Sequence, residues 1–295
     1  MPEGHSIHRL ARQFQDVFVG RRLRVSSPQG RFASGAALLD DHVLAESTAH
    51  GKQLFLRFEH ALILHVHLGL YGAWSFGGDH TFQGASSIGA PRRIGERELP
   101  AGTIVATYSG PPDPVGAVRV RLVSDHGWAD LRGATTCAAI SEAEAATVLG
   151  RLGPDPLRNM PGDREEFVRR VTRRRTAVAL LLMDQSVLAG VGNIYRAEVL
   201  FRQGIDPWLP GESLSAESAG LLWDDTVELM SDGVRSGRIV TTPATFWSER
   251  PEGARGEEAH YVYKRQGLPC RRCGTTVGLA EIGARKLYWC PGCQS

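Results

Sequence analysis

Pro2 and Glu3 open the chain, directly after Met1 and before Gly4-His5. A small second residue makes Met1 easy to remove, and removal leaves Pro2 as a free secondary amine. Such an amine adds to a sugar aldehyde carbon to give an iminium that has no N–H proton to lose. Its fixed positive charge is an electron sink, suited to expelling a neighbouring phosphate. Glu3 beside it is a carboxylate placed to move protons at the same carbon. The plainer reading of the pair is an ordinary helix start, since Pro favours the first helical position and Glu the first turn.

Lysine is rare here. Of 34 basic residues only Lys52, Lys264 and Lys286 are lysines, and Lys52 stands alone in the first 260 positions. An ammonium can act as a point donor to phosphate or as a proton carrier, whereas a guanidinium stays charged and prefers forked geometry. Lys52 therefore joins Pro2 and Glu3 as a candidate.

Cys270, Cys273, Cys290 and Cys293 form two CxxC knuckles separated by sixteen residues. That spacing matches a four-thiolate structural zinc ribbon; disulfides are the competing reading, and no secretion signal supports them. A closed four-thiolate site points to one structural Zn2+ without a catalytic role; no organic cofactor is expected. The finger is too short to fold alone, so the metal supplies its stability. A hairpin is expected between the knuckles, with Arg285 near its tip. Cys137, the odd thiol, reads as a small buried apolar residue.

Residues 183–193 form a glycine-punctuated turn after one helix and before another. Gly190 and Gly192 allow close backbone approach, and the following helix start offers free N–H groups. Asn193 adds a side-chain amide. This is a phosphate-binding arrangement, although Gly-x-Gly turns before helices are common.

The elements that must position these groups follow from periodicity. Ile7, Leu10, Ala11 and Phe14 predict a short amphipathic helix over residues 4–14. Its positive end would favour the neutral amine of Pro2. Strands are expected at 53–58, 61–68, 103–108 and 117–123, with Gly- and Pro-rich breaks at 77–91 and 109–116. Ser141-Glu-Ala-Glu144 is a capping box, and Asp163-Arg-Glu-Glu166 reads as an analogous start. The expected fold is α+β and multidomain. It comprises an N-terminal β-sandwich with one helix (1–135), a helical domain with a helix–two-turn–helix (136–259) and a C-terminal zinc finger (260–295).

The chain has 295 residues, net charge +2 and 42% apolar content, ordinary for a globular protein. It contains no long uncharged apolar run and no signal-peptide pattern, so neither a membrane span nor secretion is expected. The basic run 164–175 reads either as a polyanion-binding surface or as a solvated face.

Taken together, these parts resemble bacterial DNA glycosylase/AP lyases of the formamidopyrimidine-DNA glycosylase and endonuclease VIII family. The resemblance runs through Pro2-Glu3-Gly4, Gly51-Lys52, His67-Leu-Gly-Leu-Tyr-Gly72, the stretch from Leu182 to Tyr195, and the terminal Cys-Pro-Gly-Cys-Gln. It implies Pro2 as Schiff-base nucleophile, Glu3 as proton donor, and Lys52 as phosphate contact and proton donor in β-elimination. It implies Asn193 and Arg285 as phosphate contacts, with Arg285 also tied to δ-elimination, and His67 as a phosphate ligand. A histidine satisfied inside the sandwich is the other reading of His67. Glu198 resembles a carboxylate that faces the site, or else a solvated helix residue.

The residues that fill the gap left by an extruded base separate the branches. Here they are Leu70 and Tyr71, with Arg132 from the later loop Asp130-Leu-Arg-Gly-Ala134. No aromatic follows Arg132, and Leu70-Tyr71 is nearer the endonuclease VIII pattern, which implies oxidised pyrimidines. Gly69 departs from that branch, which has a polar residue there. The implied partner is double-stranded DNA with an oxidised base or abasic site, and the protein is expected to be a cytoplasmic, nucleoid-associated monomer. Rival readings are a non-catalytic binder of damaged DNA, which would need no Pro2–Glu3–Lys52 set, and an abasic-site lyase with weak glycosylase activity.

Overall fold

A computed structural model describes residues 2–90, 110–248, 254 and 256–295. The expected strand at 103–108 and residue Met1 lie outside them. The chain divides into two compact units, Met1–Arg151 and Leu152–Ser295.

The first unit contains α1 (Gly4–Val17), β1 (Arg22–Ser26), α2 (Ala33–Leu39), β2 (His42–His50), β3 (Gln53–Phe58) and β4 (Leu62–His67). It continues with β5 (Ala73–Gly78), β6 (Ser87–Gly89), β7 (Val118–Val123), β8 (Gly127–Arg132), β9 (Thr136–Ser141) and α3 (Glu142–Leu149). Among the described residues the strand order is β6-β5-β8-β7-β1-β2-β3-β4-β9. The β1–β2 junction pairs only Arg22 with Val43 and Leu23 with His42. At this narrow link the sheet divides into two leaves. Leu54, Leu56, Leu64 and Val66 from one leaf share a core with Trp74, Val120, Leu122 and Leu131 from the other. This is the expected sandwich, with Ile7, Leu10 and Phe14 of α1 sealing the same core. Both faces of the β3–β4 leaf are buried, because Phe55 and Ile63 pack outward against Ala145 of α3. The alternation in residues 53–68 therefore marks two apolar surfaces rather than one wet and one dry.

β9 pairs with β4 along its whole length, from Leu62–Ser141 to His67–Thr136. The first unit thus runs past residue 135 and includes α3. Ser141 caps α3 in a complete capping box with Glu144. The start of α4 differs from the expected one. Gly162, at φ +91°, occupies the cap position, and Asp163 is already helical. Its carboxylate accepts instead from the Met160 N–H at 2.8 Å, outside the helix.

The second unit contains α4 (Asp163–Thr172), α5 (Val178–Leu181), α6 (Asn193–Arg202), α7 (Ala216–Ser236), β10 (Gly278–Ile282) and β11 (Arg285–Trp289). α7 starts at Ser215, whose hydroxyl accepts from the Ser218 N–H, and stops at Gly237 with φ +73°. Phe167, Leu188, Tyr195, Leu200, Trp223 and Met230 fill the helical core. A second cluster joins Ala197 and Phe201 of α6 to Tyr261, Val277, Tyr288 and Cys290. The finger is thereby packed on α6 and shares apolar surface with it. Among the described residues no helix is long and apolar enough to cross a membrane.

Candidate functional site

In the first unit Pro2 and Glu3 are buried, Glu3 completely. α1 begins only at Gly4, so Glu3 is the extended residue before the helix, and its side chain makes no capping hydrogen bond. Its carbonyl accepts the Ser6 N–H at 3.0 Å. The plain helix-start reading fits poorly, because a surface acid in the first turn would not be buried. His5 is buried as well; burial, then the charge of Arg9, lowers its pKa to about 3. It is neutral at any working pH.

Lys52 follows Gly51, a glycine at φ +56°, in the turn between β2 and β3. His67 ends β4 opposite Gln53. Burial, and then the nearby Lys52 ammonium, lower the pKa of His67. The neighbouring buried histidine is His65, whose Nε2 lies 2.8 Å from Gln53 Oε1 and whose ring stacks on Phe55. His67 lies half-buried at the strand end.

The loop from Leu68 to Gly72 is a tight turn closed by the Gly72 N–H donating to the Leu68 carbonyl at 3.0 Å. Leu68 is buried, while Leu70 and Tyr71 project outward at 43% and 82% exposure. Gly69 has φ +66°, and a Cβ there would lie 2.0 Å from Thr135 Oγ1. Backbone conformation and the Thr135 contact together demand glycine, which explains its departure from the family pattern.

Arg132 stands beside the Leu70–Tyr71 turn, paired through its backbone with Ala73. It ends β8, and its guanidinium donates to Asp130 Oδ2 at 3.2 Å, Ser75 Oγ at 3.3 Å and the Val115 carbonyl at 2.6 Å. Asp130 is buried and also takes a forked pair from Arg121 at 2.7 and 2.8 Å. Arg132 completes a buried ion cluster. Cys137, on β9, is half-buried, and burial pushes its thiol pKa up to about 12.

In the second unit the turn between α5 and α6 is held by side chains. Asp184 Oδ1 accepts from the Ser186 N–H at 2.9 Å. Gln185 Nε2 donates to the Val191 carbonyl at 3.0 Å, and its Oε1 accepts the Gly190 N–H at 3.0 Å. The Gly190 amide thus serves the turn, contrary to its expected role at a ligand. Gly192 caps α6 in an extended conformation. Asn193, at the first turn, is buried; its Nδ2 donates to the Lys286 carbonyl at 2.9 Å.

Glu198 is neither solvated nor turned toward a ligand surface. It is 0% exposed, and its carboxylate accepts the N–H groups of Tyr261, Val262 and Tyr263 at 2.8, 2.9 and 2.8 Å, plus the Thr241 hydroxyl. A buried carboxylate with four donors is a fully satisfied internal anchor. Its placement corrects the expectation of a DNA-facing residue. Arg196, which sequence reasoning passed over, is equally buried and donates to Asn193 Oδ1 and, at 3.0 Å, to the Lys286 carbonyl. No signal marked it in a chain where arginine is the usual basic residue.

The finger hairpin turns through Gly283 and Ala284, both at positive φ, and Arg285 opens β11 opposite Ile282. Arg285 is exposed. The four finger cysteines bring their Sγ atoms within 4.8 Å of one another, Cys270–Cys293 at 3.9 Å and Cys273–Cys290 at 3.4 Å. Tetrahedral thiolates around zinc sit about 3.8 Å apart, from a metal–sulfur length of about 2.3 Å, so the set fits a metal ion and is too wide for disulfides. In the basic run, Arg164 pairs with Asp224, and Arg169 and Arg170 both pair with Glu166. Much of that run is an ion-paired helix surface.

Three family models match the chain in order. The formamidopyrimidine-DNA glycosylase N-terminal domain matches residues 1–129. The formamidopyrimidine-DNA glycosylase H2TH domain matches residues 152–244, and the zinc finger found in FPG and IleRS matches residues 267–295. Endonuclease 8 1 of Mycobacterium tuberculosis is 40% identical over 295 residues, all of both chains. The crystal structure of the MutM (Fpg) protein of Thermus thermophilus superposes with TM-score 0.70 at 26% identity, covering 99% of this chain and 98% of that one. The Lactococcus lactis formamidopyrimidine-DNA glycosylase, bound noncovalently to DNA with an AP site, shares the fold, with TM-score 0.73, 20% identity and 99% coverage of both chains. With a relative this similar along its whole length, the chain belongs to the formamidopyrimidine-DNA glycosylase and endonuclease VIII family.

Proposed function

We propose that this protein is a bifunctional DNA glycosylase and AP lyase of base excision repair. It removes oxidised bases, pyrimidines foremost, from duplex DNA and cuts the strand by β- and β,δ-elimination. The observation that carries this reading is the burial of Pro2 and Glu3 before α1, in a family member whose finger and α5–α6 turn are both intact. The oxidised-pyrimidine preference rests on Leu70-Tyr71 and on the endonuclease 8 relative.

Once Met1 is gone, the Pro2 lone pair adds to C1′ of the flipped nucleotide, the glycosidic electrons leave with the base, and the N–H proton that Pro2 sheds neutralises the departing base. Glu3 gives its proton to the ring oxygen, and the sugar opens to an iminium. Loss of the C2′ proton moves electrons toward the iminium and breaks the C3′–O bond, releasing the 3′ phosphate; a second elimination releases the 5′ phosphate. An α-amine has a reference pKa of about 7.7–8.0, so Pro2 is partly neutral near pH 8 without help. Lys52 contacts phosphate and carries the elimination proton. Neutral His67 offers one ring N–H to a phosphate oxygen.

Asn193 and Arg285 grip the DNA backbone. An amide NH2 has two hydrogens, and Lys286 takes only one from Asn193. Leu70 and Tyr71 fill the gap in the stack. Cys270, Cys273, Cys290 and Cys293 hold one Zn2+, which cross-links the finger and takes no part in the chemistry, since thiolates fill all four positions.

Borohydride trapping on DNA with thymine glycol or an abasic site tests this reading. The processed protein forms a covalent complex, and Pro2→Gly or a retained Met1 abolishes it. Undiminished trapping with Met1 retained would remove Pro2 from the mechanism. A panel of lesions beside a plain abasic site reads the base preference.

A further inference from the structure

Two buried charges stand two residues apart on α6, and they hold different parts of the chain. Arg196 holds the return strand: it and Asn193 both donate to the Lys286 carbonyl, at 3.0 and 2.9 Å. Glu198 holds the outgoing segment, taking three consecutive amides, Tyr261 to Tyr263, seven residues before Cys270. The Thr241 hydroxyl ties the loop after α7 to the same carboxylate. The far end of the finger is pinned too, since Gln294 Nε2 donates to the Ile205 carbonyl at 3.0 Å.

A carboxylate has about four lone-pair sites, and four donors meet it here. Glutamine in its place would set an NH2 group against backbone N–H groups. Arg285 precedes the clamped Lys286 in the chain, so its Cα lies about 3.8 Å from an anchored one. Asn193 belongs to the clamp itself.

We propose that Arg196 and Glu198 are positioning residues that join Asn193 and Arg285 into one rigid receptor for successive DNA phosphates. Neither touches DNA; each acts through the backbone it holds. This inference rests on the reading of Asn193 and Arg285 as phosphate contacts.

The experiment measures binding of the zinc-loaded full chain to duplex DNA carrying a tetrahydrofuran abasic-site analogue, across a salt series. The variants are Glu198→Gln, Arg196→Lys, Arg285→Ala and each of the first two combined with Arg285→Ala. Zinc content and amide hydrogen exchange at residues 261–263 and 285–286 are recorded for each. Glu198→Gln is expected to keep zinc, to speed exchange at 261–263 and to weaken binding about tenfold. It should lower the salt slope by about one phosphate contact and add little on the Arg285→Ala background, since both act on one contact. Arg196→Lys keeps the charge but ends one atom short of the Nη2 that donates to both Asn193 and Lys286, and should give the same pattern with faster exchange at 285–286.

Full additivity with Arg285→Ala, or an unchanged salt slope, overturns the proposal. If Glu198→Gln loses its zinc, the Arg196→Lys cycle decides by the same two criteria. Wild-type binding that Arg285→Ala leaves untouched would instead count against the phosphate reading of Arg285.

Discussion

Arg132 donates to Asp130 across 3.2 Å, and that carboxylate is only 1% exposed. The pair ties the end of β8 into an ion cluster with Arg121. Arg132→Met should therefore act on stability. The expected loss is about 1–3 kcal/mol in urea unfolding of the first unit, the scale of hydrogen bonds to a charged partner. Selectivity for the base opposite the lesion should stay unchanged. Altered opposite-base selectivity at unchanged stability would mean that Arg132 leaves the cluster and reaches DNA.

Leu70 and Tyr71 behave in the opposite sense. Both are exposed, so Leu70→Ala and Tyr71→Ala should shift stability by no more than about 0.5 kcal/mol. Excision of a lesion stacked in duplex DNA should fall about tenfold or more, and cleavage of a single-stranded abasic site should fall much less, because only the duplex has a gap to fill. Gly69→Ala should cost stability as well as excision, since its Cβ meets Thr135 Oγ1 at 2.0 Å in a positive-φ backbone. Equal losses on both substrates for Leu70→Ala would count against a gap-filling role.

Metal removal should reach beyond the finger. The Cys290 N–H donates to Gln294 Oε1 at 2.9 Å, and the same side chain holds the Ile205 carbonyl beside α6. Cys290→Ser or a strong chelator should release the metal, loosen β10–β11 and abolish tight DNA binding. The first unit, with its separate core, should stay folded. Far-UV and near-UV circular dichroism, with metal content by mass spectrometry, would report this.

The first unit should lose stability in mild acid. Burial lowers the pKa of His65 to about 4 and that of His5 to about 3, against 6.5 in the unfolded chain. The unfolded state therefore binds more protons below pH 6.5. The stabilisation is complete above that pH and declines as pH falls toward the folded values, by up to about 1.4 kcal/mol per pH unit for each histidine. Denaturant midpoints at pH 7, 6 and 5 measure the slope. His65→Gln should flatten it by about one proton between pH 6 and 5.

The amino-acid sequence by itself determined most of the local structure. Residue types and spacing identify a four-thiolate knuckle pair, a capping box at Ser141 and strands at 53–58 and 117–123, because these depend on neighbours within a few residues. Gly69 and the positive-φ Gly51 were visible as glycines, but the Thr135 contact that requires one of them was not. Tertiary structure alone decided which polar residues turn inward. Arg121, Asp130, Arg196 and Glu198 are charged, sit in unremarkable local patterns and are buried. Arg121 and Asp130 meet across neighbouring strands, Arg196 reaches the Lys286 carbonyl, and Glu198 takes backbone amides more than sixty residues away. A buried charge is stable only when its partners converge on it. That convergence belongs to the packed chain, and no window of sequence contains it.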